Sequence, residues 1–311
     1  MSAKHPAIVY DHESPRILVA DVTSGQLRPA AHPDWLVLSS DHAPWQDSLL
    51  VEQYRRPPFE GSEHAPHAHQ VGIGLSPSSI LEWWIAGKRP RRQRVTPGDV
   101  YLTSAGVPRW YRLQESSEIL MLALAPSFMQ HAVHEFTGAA ALELRNQRAI
   151  RDAPILHLGL ALQAELEAGC PAGRLYGEGL ATALAVHLLQ HYAVCPPQLQ
   201  SYRGSMPQAR LRRVLEYMQA HLDQELSLTA LAAVAQMSPY YFSRLFKQST
   251  GLSPHQYILQ QRITWATRLL VEPQLSVAAI AYRVGFASQA HFTTIFRRWV
   301  GTTPRQYRQQ R

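Results

Sequence analysis

An internal repeat near the carboxy terminus constrains this chain more than any other feature. One copy reads LSLTALAAVAQMSPYYFSRLFKQSTGLSPHQY, residues 226–257; the other reads LSVAAIAYRVGFASQAHFTTIFRRWVGTTPRQY, residues 275–307. Leu226, Ser227 and Ala232 correspond to Leu275, Ser276 and Ala281 at an offset of 49. Phe242, Phe246, Gly251, Pro254 and Tyr257 correspond to Phe292, Phe296, Gly301, Pro304 and Tyr307 at an offset of 50, so one residue is added in the intervening turn. Ser227 and Ser276 are suited to cap a helix, because a hydroxyl accepts from amides that the first turn leaves unpaired. Leu228, Leu231, Ala232 and Ala235, like Val277, Ile280, Ala281 and Val284, form one apolar stripe per copy. Gln236-Met237-Ser238 and Gly285-Phe286-Ala287 then read as tight turns. Second helices follow, with Phe242, Leu245 and Phe246, or Phe292, Ile295, Phe296 and Trp299, facing inward. Gly251 and Gly301 suit ends that need a left-handed residue. The pattern predicts helix-turn-helix geometry twice.

Charge follows the repeat. From Pro207 onward there are 13 Lys+Arg against 4 Asp+Glu, an excess of +9, whereas the preceding residues balance at −2. A basic third on an otherwise neutral chain points to a polyanion, with nucleic acid as the first candidate and a solvated basic surface as the alternative. The outward face of the first copy's second helix carries Tyr240, Ser243, Arg244 and Lys247; the second copy offers Ala290, Thr293, Thr294 and Arg297. Such side chains suit a major groove. The connecting helix, Pro254 to Leu270, spans about 25 Å at 1.5 Å per residue. With its flanking helices it can set two recognition helices about one DNA turn apart, about 34 Å.

Upstream the pattern changes. Short apolar runs such as Trp35–Leu38, Leu49–Val51, Ile80–Ile85, Val100–Leu102 and Ile119–Leu124 alternate with Pro and Gly clusters. They predict the strands of a barrel or sandwich. Ile155–Ala168 and Arg174–Val194 read as helices, and the second is stopped by Pro196-Pro197. The expected division is a domain at 1–195, a linker at 196–206 and a helical domain at 207–311. Leu180, Leu184 and Leu188 form a stripe that serves either a homodimer or packing on the barrel; avidity on DNA favours the dimer. No apolar run approaches membrane-spanning length, and no secretion signal is evident, so a cytoplasmic location is expected. Two cysteines, Cys170 and Cys195, are too few for a disulfide framework or a four-cysteine metal site.

The stretch AYRVGFASQAHFTTIFRRWVGTTPRQYR, Ala281–Arg308, with Gln261-Arg262-Ile263 and Ala266 in the connecting helix, resembles the AraC-type transcriptional regulators. The resemblance covers about residues 207–311. It implies a DNA-binding domain of seven helices attached to a variable sensor domain, and RNA polymerase as a partner. Carried over by position, Tyr240, Ser243 and Arg244 in the first copy read bases, as do Gln289, Ala290, His291 and Thr294 in the second. Lys247, Arg297, Arg298 and Arg305 are placed for phosphates.

Sensor domains of this family are often cupin-like barrels. The fold expected is therefore α+β, a cupin-like β-barrel with flanking helices followed by an all-α domain of two helix-turn-helix units joined by a helix. Gly61 to His69 looks like the first half of the cupin metal motif, with His67 and His69 two residues apart. The glutamate expected beyond them is absent, and Arg109 stands where the third histidine belongs. A fixed cation repels a metal. No metal, cofactor or catalytic residue is therefore expected. The pocket instead takes a small-molecule effector near His67, His69, Arg109, Trp110 and Tyr111, arginine suiting a carboxylate and the aromatics a ring. The competing functions are a cupin metalloenzyme with a DNA-binding tail, and a DNA-repair methyltransferase, which would need a reactive cysteine.

Overall fold

The computed structural model describes residues 16–76, 79–85, 89–125, 127–129, 143–194 and 205–310. Contacts divide the chain into two compact units. The first holds residues up to His42, Leu49–Pro126 and Glu143–Gln163; the second holds Ala43–Ser48, Ser127–Leu142 and Ala164–Arg311.

The first unit is built on thirteen described strands: β1 (Leu18–Asp21), β2 (Leu27–Pro29), β3 (Leu36–Ser39), β4 (Leu50–Arg56), β5 (Phe59–Glu60), β6 (His64–Pro66), β7 (His69–Gly74), β8 (Ser79–Ile85), β9 (Arg91–Val95), β10 (Val100–Thr103), β11 (Arg109–Leu113), β12 (Ser117–Leu124) and β13 (Gln147–Ile150). One sheet runs β2-β1-β6-β11-β8-β9, with β5 beside β11; the other runs β13-β10-β7-β12-β4-β3. The apolar runs read from sequence lie on β3, β4, β8, β10 and β12. β12 is central, pairing antiparallel with β4 from Ser117↔Arg56 to Ala123↔Leu50 and with β7 from Ile119↔Gly74 to Leu124↔His69. Its Leu120 and Leu122 are fully buried, with Val51, Ile73 and Leu102.

The expectation of a closed barrel is corrected: among the described residues the two sheets do not join into one ring. The outer strands explain why. β9 exposes Arg91, Arg92 and Arg94, and β2 ends on Pro29, which has no amide to donate. Charge and proline at an edge both resist further pairing.

The described helices are α1 (Ala153–Glu167), α2 (Gly173–Tyr192), α3 (Gln208–Ala220), α4 (Leu228–Ala235), α5 (Pro239–Thr250), α6 (Pro254–Leu269), α7 (Val277–Arg283), α8 (Gln289–Val300) and α9 (Pro304–Gln309). Seven of them, α3 to α9, follow the expected linker. They enclose two cores. Val214, Met218, Leu222, Leu231, Phe242, Phe246 and Ile258 belong to the first; Leu259, Ile263, Ala266, Ile280, Phe286, Phe292 and Phe296 belong to the second. Helix α6 supplies both, with Ile258 on one side and Leu259, Ile263 and Ala266 on the other. Burial of this many large side chains, at about 1.5–3 kcal/mol each, holds the two repeats on one shared helix.

Contact density does not divide the chain at 195/196, because α2 belongs with the helices that follow. Glu178 on α2 is 2% exposed, and its carboxylate accepts from the Leu228 amide at 2.6 Å and from Arg174 Nε at 2.8 Å. A carboxylate thus satisfies an otherwise unpaired amide in the first turn of α4. Leu184 and Leu188 are fully buried within the single chain, whereas Leu180 is half-buried. Cys195 and residues 196–204 of the expected linker lie outside the described residues.

Candidate nucleic-acid interface

Each repeat folds into two helices across a tight turn. Ser227 and Ser276 accept from the amides of Ala230 and Ala279 at 3.0 Å, so both predicted caps form. Gln236 and Gly285 take the left-handed conformation in the turns, at φ 54° and 89°. Ser238 then caps α5 and Ser288 caps α8. Gly251 and Gly301 end these helices at φ 79° and 86°, their amides bonded to the carbonyls of Lys247 and Arg297.

The second helices are two-faced. On α5, Tyr241, Phe242, Leu245 and Phe246 are buried, while Arg244 and Lys247 are exposed and Tyr240 and Ser243 half-buried. On α8, Phe292 and Phe296 are buried, while Gln289, Ala290, Thr294, Arg297 and Arg298 are exposed. Arg305, on α9, is exposed as well. The Thr293 and Thr294 hydroxyls donate to the carbonyls of Gln289 and Ala290 at 2.8 and 3.1 Å, so each is engaged by its own helix. His291 departs from the exposed row. It is half-buried, edge-on to Phe286 at 5.5 Å between ring centres, and burial, then Arg262, lowers its pKa.

Arg262 was quoted in the sequence only as part of a pattern, and its task is positional. Its guanidinium donates to three carbonyls: Leu222 at 2.7 Å, Gln224 at 2.7 Å and Gly285 at 2.6 Å. One side chain of α6 therefore ties the segment entering the first repeat to the turn of the second repeat. Burial lowers its pKa to about 10, so it is charged at neutral pH. A Cβ on Gly285 would lie 2.5 Å from the Leu222 oxygen and 2.7 Å from the Arg262 guanidinium. Space and backbone conformation both reserve that position for glycine.

The first unit contains a cavity between strands, with about 740 Å³ of space outside atoms, including the part open to solvent. Arg109, Trp110 and Tyr111 line it, whereas His67 and His69 are absent from its wall. The two histidines are separated by a bend. His67 is exposed, whereas His69 is 2% exposed and its Nδ1 accepts from the Ala105 amide at 3.2 Å. The histidine that meets Arg109 is His64, whose Nε2 accepts from Arg109 Nε at 3.2 Å. Burial, then the Arg109 charge, lowers the His64 pKa to about 4. A divalent ion does not fit this arrangement, since a guanidinium holds the imidazole. Among the described residues, no three His, Cys, Asp or Glu side chains converge on a point suited to a metal.

Sequence reasoning missed Arg56 and Arg148, which share the cavity wall. The signal for Arg56 was the period of two along β4, which places it on the face of Tyr54, itself 1% exposed. Cys170 is a free thiol that burial, then Glu165, pushes up to about 11, opposite to what a nucleophile needs. Among the described residues, no helix is long and apolar enough to cross a membrane.

Residues 231–310 match a family model described as a helix-turn-helix domain. Over 109 residues, 35% of the chain, the sequence is 38% identical to the regulatory protein PocR of Salmonella typhimurium, of which the match spans 36%. It is 39% identical over 103 residues to the HTH-type transcriptional activator RhaS of an Enterobacter species, covering 33% of this chain and 37% of that one. A longer match, 27% identical over 289 residues, joins 90% of this chain to 86% of the MmsAB operon regulatory protein of Pseudomonas aeruginosa. The chain thus spans little more than a third of the length of PocR and RhaS, and most of the length of the third relative.

Proposed function

We propose, from the premise that the carboxy-terminal third of this chain is an AraC-type helix-turn-helix domain, that the protein is a sequence-specific DNA-binding transcription regulator and not an enzyme. The observation that carries this reading is the pairing of α5 and α8, each with an aromatic row buried and a polar or basic row exposed. Both helices enter major grooves on one face of the duplex. Tyr240, Ser243 and Arg244 read bases from α5, and Gln289, Ala290 and Thr294 do so more weakly from α8. Lys247, Arg297, Arg298 and Arg305 hold phosphates, each neutralised phosphate releasing counterions. Bound beside a promoter, the protein acts with RNA polymerase as an activator, the role that the name of RhaS states for that relative. The first unit is a cupin-like sensor without metal, and its cavity takes a small-molecule effector. Of the stripe Leu180, Leu184 and Leu188, only Leu180 is accessible to a second copy, so any homodimer draws on further surface.

The test is selection of genomic fragments by the purified full chain at physiological salt. A small set of fragments that survives excess random DNA is expected. Retention no better than that of random DNA would remove the reading.

A further inference from the structure

The cavity of the first unit holds three arginines and leaves them without a counter-charge. Among the described residues, no carboxylate forms an ion pair with Arg56, Arg109 or Arg148; Glu118, also on the wall, is paired with Arg55 at 3.2 Å. The three groups converge. Arg109 Nη1 and Arg148 Nη1 donate to the same hydroxyl, Thr103 Oγ1, at 2.7 and 3.0 Å. The guanidinium carbons of Arg56 and Arg109 lie 6.0 and 5.8 Å from the centre of one ring, Tyr111. Burial lowers the pKa of all three, that of Arg148 to about 9, and the Arg109 charge adds to the shift at Arg148. Like charges gathered out of water cost free energy unless something opposite joins them.

The wall also carries polar atoms with no partner among the described residues: Arg56 Nε, Gln70 Nε2, Ser79 Oγ, Trp83 Nε1 and Tyr101 Oη. Every one of them can donate a hydrogen bond, and three can only donate. Gln70 is oriented for this, since its Oε1 accepts from Arg109 and leaves the amino group free. A site in which cations and unpartnered donors outnumber the one carboxylate, itself paired with Arg55, is complementary to an acceptor-rich anion. Leu81, Val95, Leu113, Ile119 and Met121 line the rest, giving an apolar bed beside the charge.

We propose that this cavity binds a small organic carboxylate, its head held by Arg56, Arg109 and Arg148 and its apolar body laid against Trp83, Leu81 and Ile119. The assignment rests on the reading of the first unit as an effector domain and names the chemistry of that effector. Arg148 lies 5.3 Å over the Trp83 ring, so a ligand that engages Arg148 alters the surroundings of that indole.

The experiment uses the full chain and matched probes: benzoate against benzamide, hexanoate against hexanamide, and inorganic phosphate alone. Thermal midpoint and tryptophan fluorescence are the readouts. At least one carboxylate is expected to give a saturable rise in midpoint with a fluorescence change, its amide giving none and phosphate a much weaker response. Arg56→Met is expected to raise the midpoint of the ligand-free protein, because it removes an uncompensated charge, and to weaken the carboxylate about tenfold. Tyr101→Phe deletes a hydroxyl that has no partner, so it should leave the fold intact while weakening the carboxylate severalfold. Equal binding of amide and carboxylate would overturn the assignment yet leave the DNA-binding reading untouched, since that reading is tested by fragment selection. The assignment is likewise overturned by phosphate binding as well as the carboxylates, by silence from every probe, or by unchanged affinity in both variants.

Discussion

Immediately after the proline at the first position of its following helix, the first helix-turn-helix repeat carries His255 and the second carries Arg305. His255 is half-buried beside Tyr176, whereas Arg305 is exposed. The turns differ in a similar way. The first unit adopts its left-handed residue with Gln236, and the second uses Gly285, pressed between the Leu222 carbonyl and Arg262. The exposed rows differ again: Arg244 and Lys247 in the first, Thr294, Arg297 and Arg298 in the second. Positions that pack have kept their identity between the repeats, as with Phe242/Phe292 and Phe246/Phe296, while positions that face outward or touch a neighbour have diverged. Two copies of one fold thus present different exposed rows, and the division proposed above is that the first reads sequence while the second mainly grips the backbone.

The largest expected effect breaks the comparison at the turns. Gly285→Ala should cost about 2–4 kcal/mol, from backbone strain and the clash with Leu222 and Arg262. Gln236→Gly should stay within about 1 kcal/mol, since it trades relief of a left-handed residue against unfolded-chain entropy. Chemical denaturation of both variants measures the contrast, and equal costs would mean that the turns are interchangeable.

Acid should lower stability next. Burial, then His291 and Arg262, lowers the His255 pKa to about 4 from an ordinary 6.5. Between those values the unfolded chain binds the proton and the folded one does not, so stability is full above about 6.5 and falls as pH drops toward 4. His64 and His69, each lowered to about 4, add the same sign in the first unit. His255→Asn should flatten part of the slope in denaturation midpoints measured from pH 7 to 4. An unaltered slope would show that His255 does not titrate across that window.

At the DNA surface the effects are smaller and differ in kind. Arg244→Ala should remove about 1–3 kcal/mol of discrimination at one G·C pair, because its fork is suited to guanine. Thr294→Ala should change affinity by less than about 0.5 kcal/mol, its hydroxyl being engaged with Ala290. Anisotropy titrations on a selected site and its single-base variants give both numbers. Smallest in specificity is Lys247→Ala, which should weaken all sequences alike and reduce the salt slope by about one. A loss confined to one sequence would instead assign Lys247 to a base.

Much of the second unit was legible in the sequence because repetition tests each inference twice. Both serine caps, both turns and both glycine ends were readable from one alignment of the chain with itself. The half-burial of His291 was not legible because motif position says nothing of rotation about the helix axis, and here the ring turns toward Phe286. The task of Arg262 was hidden because its three acceptors are backbone carbonyls, which carry no residue signature. In the first unit the strands were legible from their apolar runs. The cavity was legible only around Arg109, because Arg56 and Arg148 reach it from β4 and β13, far apart in sequence and adjacent only through sheet pairing. The His67/His69 pair misled because the spacing assumed a continuous strand, and the chain bends between them.

Whether two unequal reading helices act on one duplex is decided by binding-site selection from random DNA with the wild-type full chain. One consensus is expected, with two segments about one helical turn apart, strongly defined where α5 lies, including a G·C pair, and weakly defined where α8 lies. Two segments of equal information, a consensus dominated by the α8 half, or no enrichment at all would contradict it.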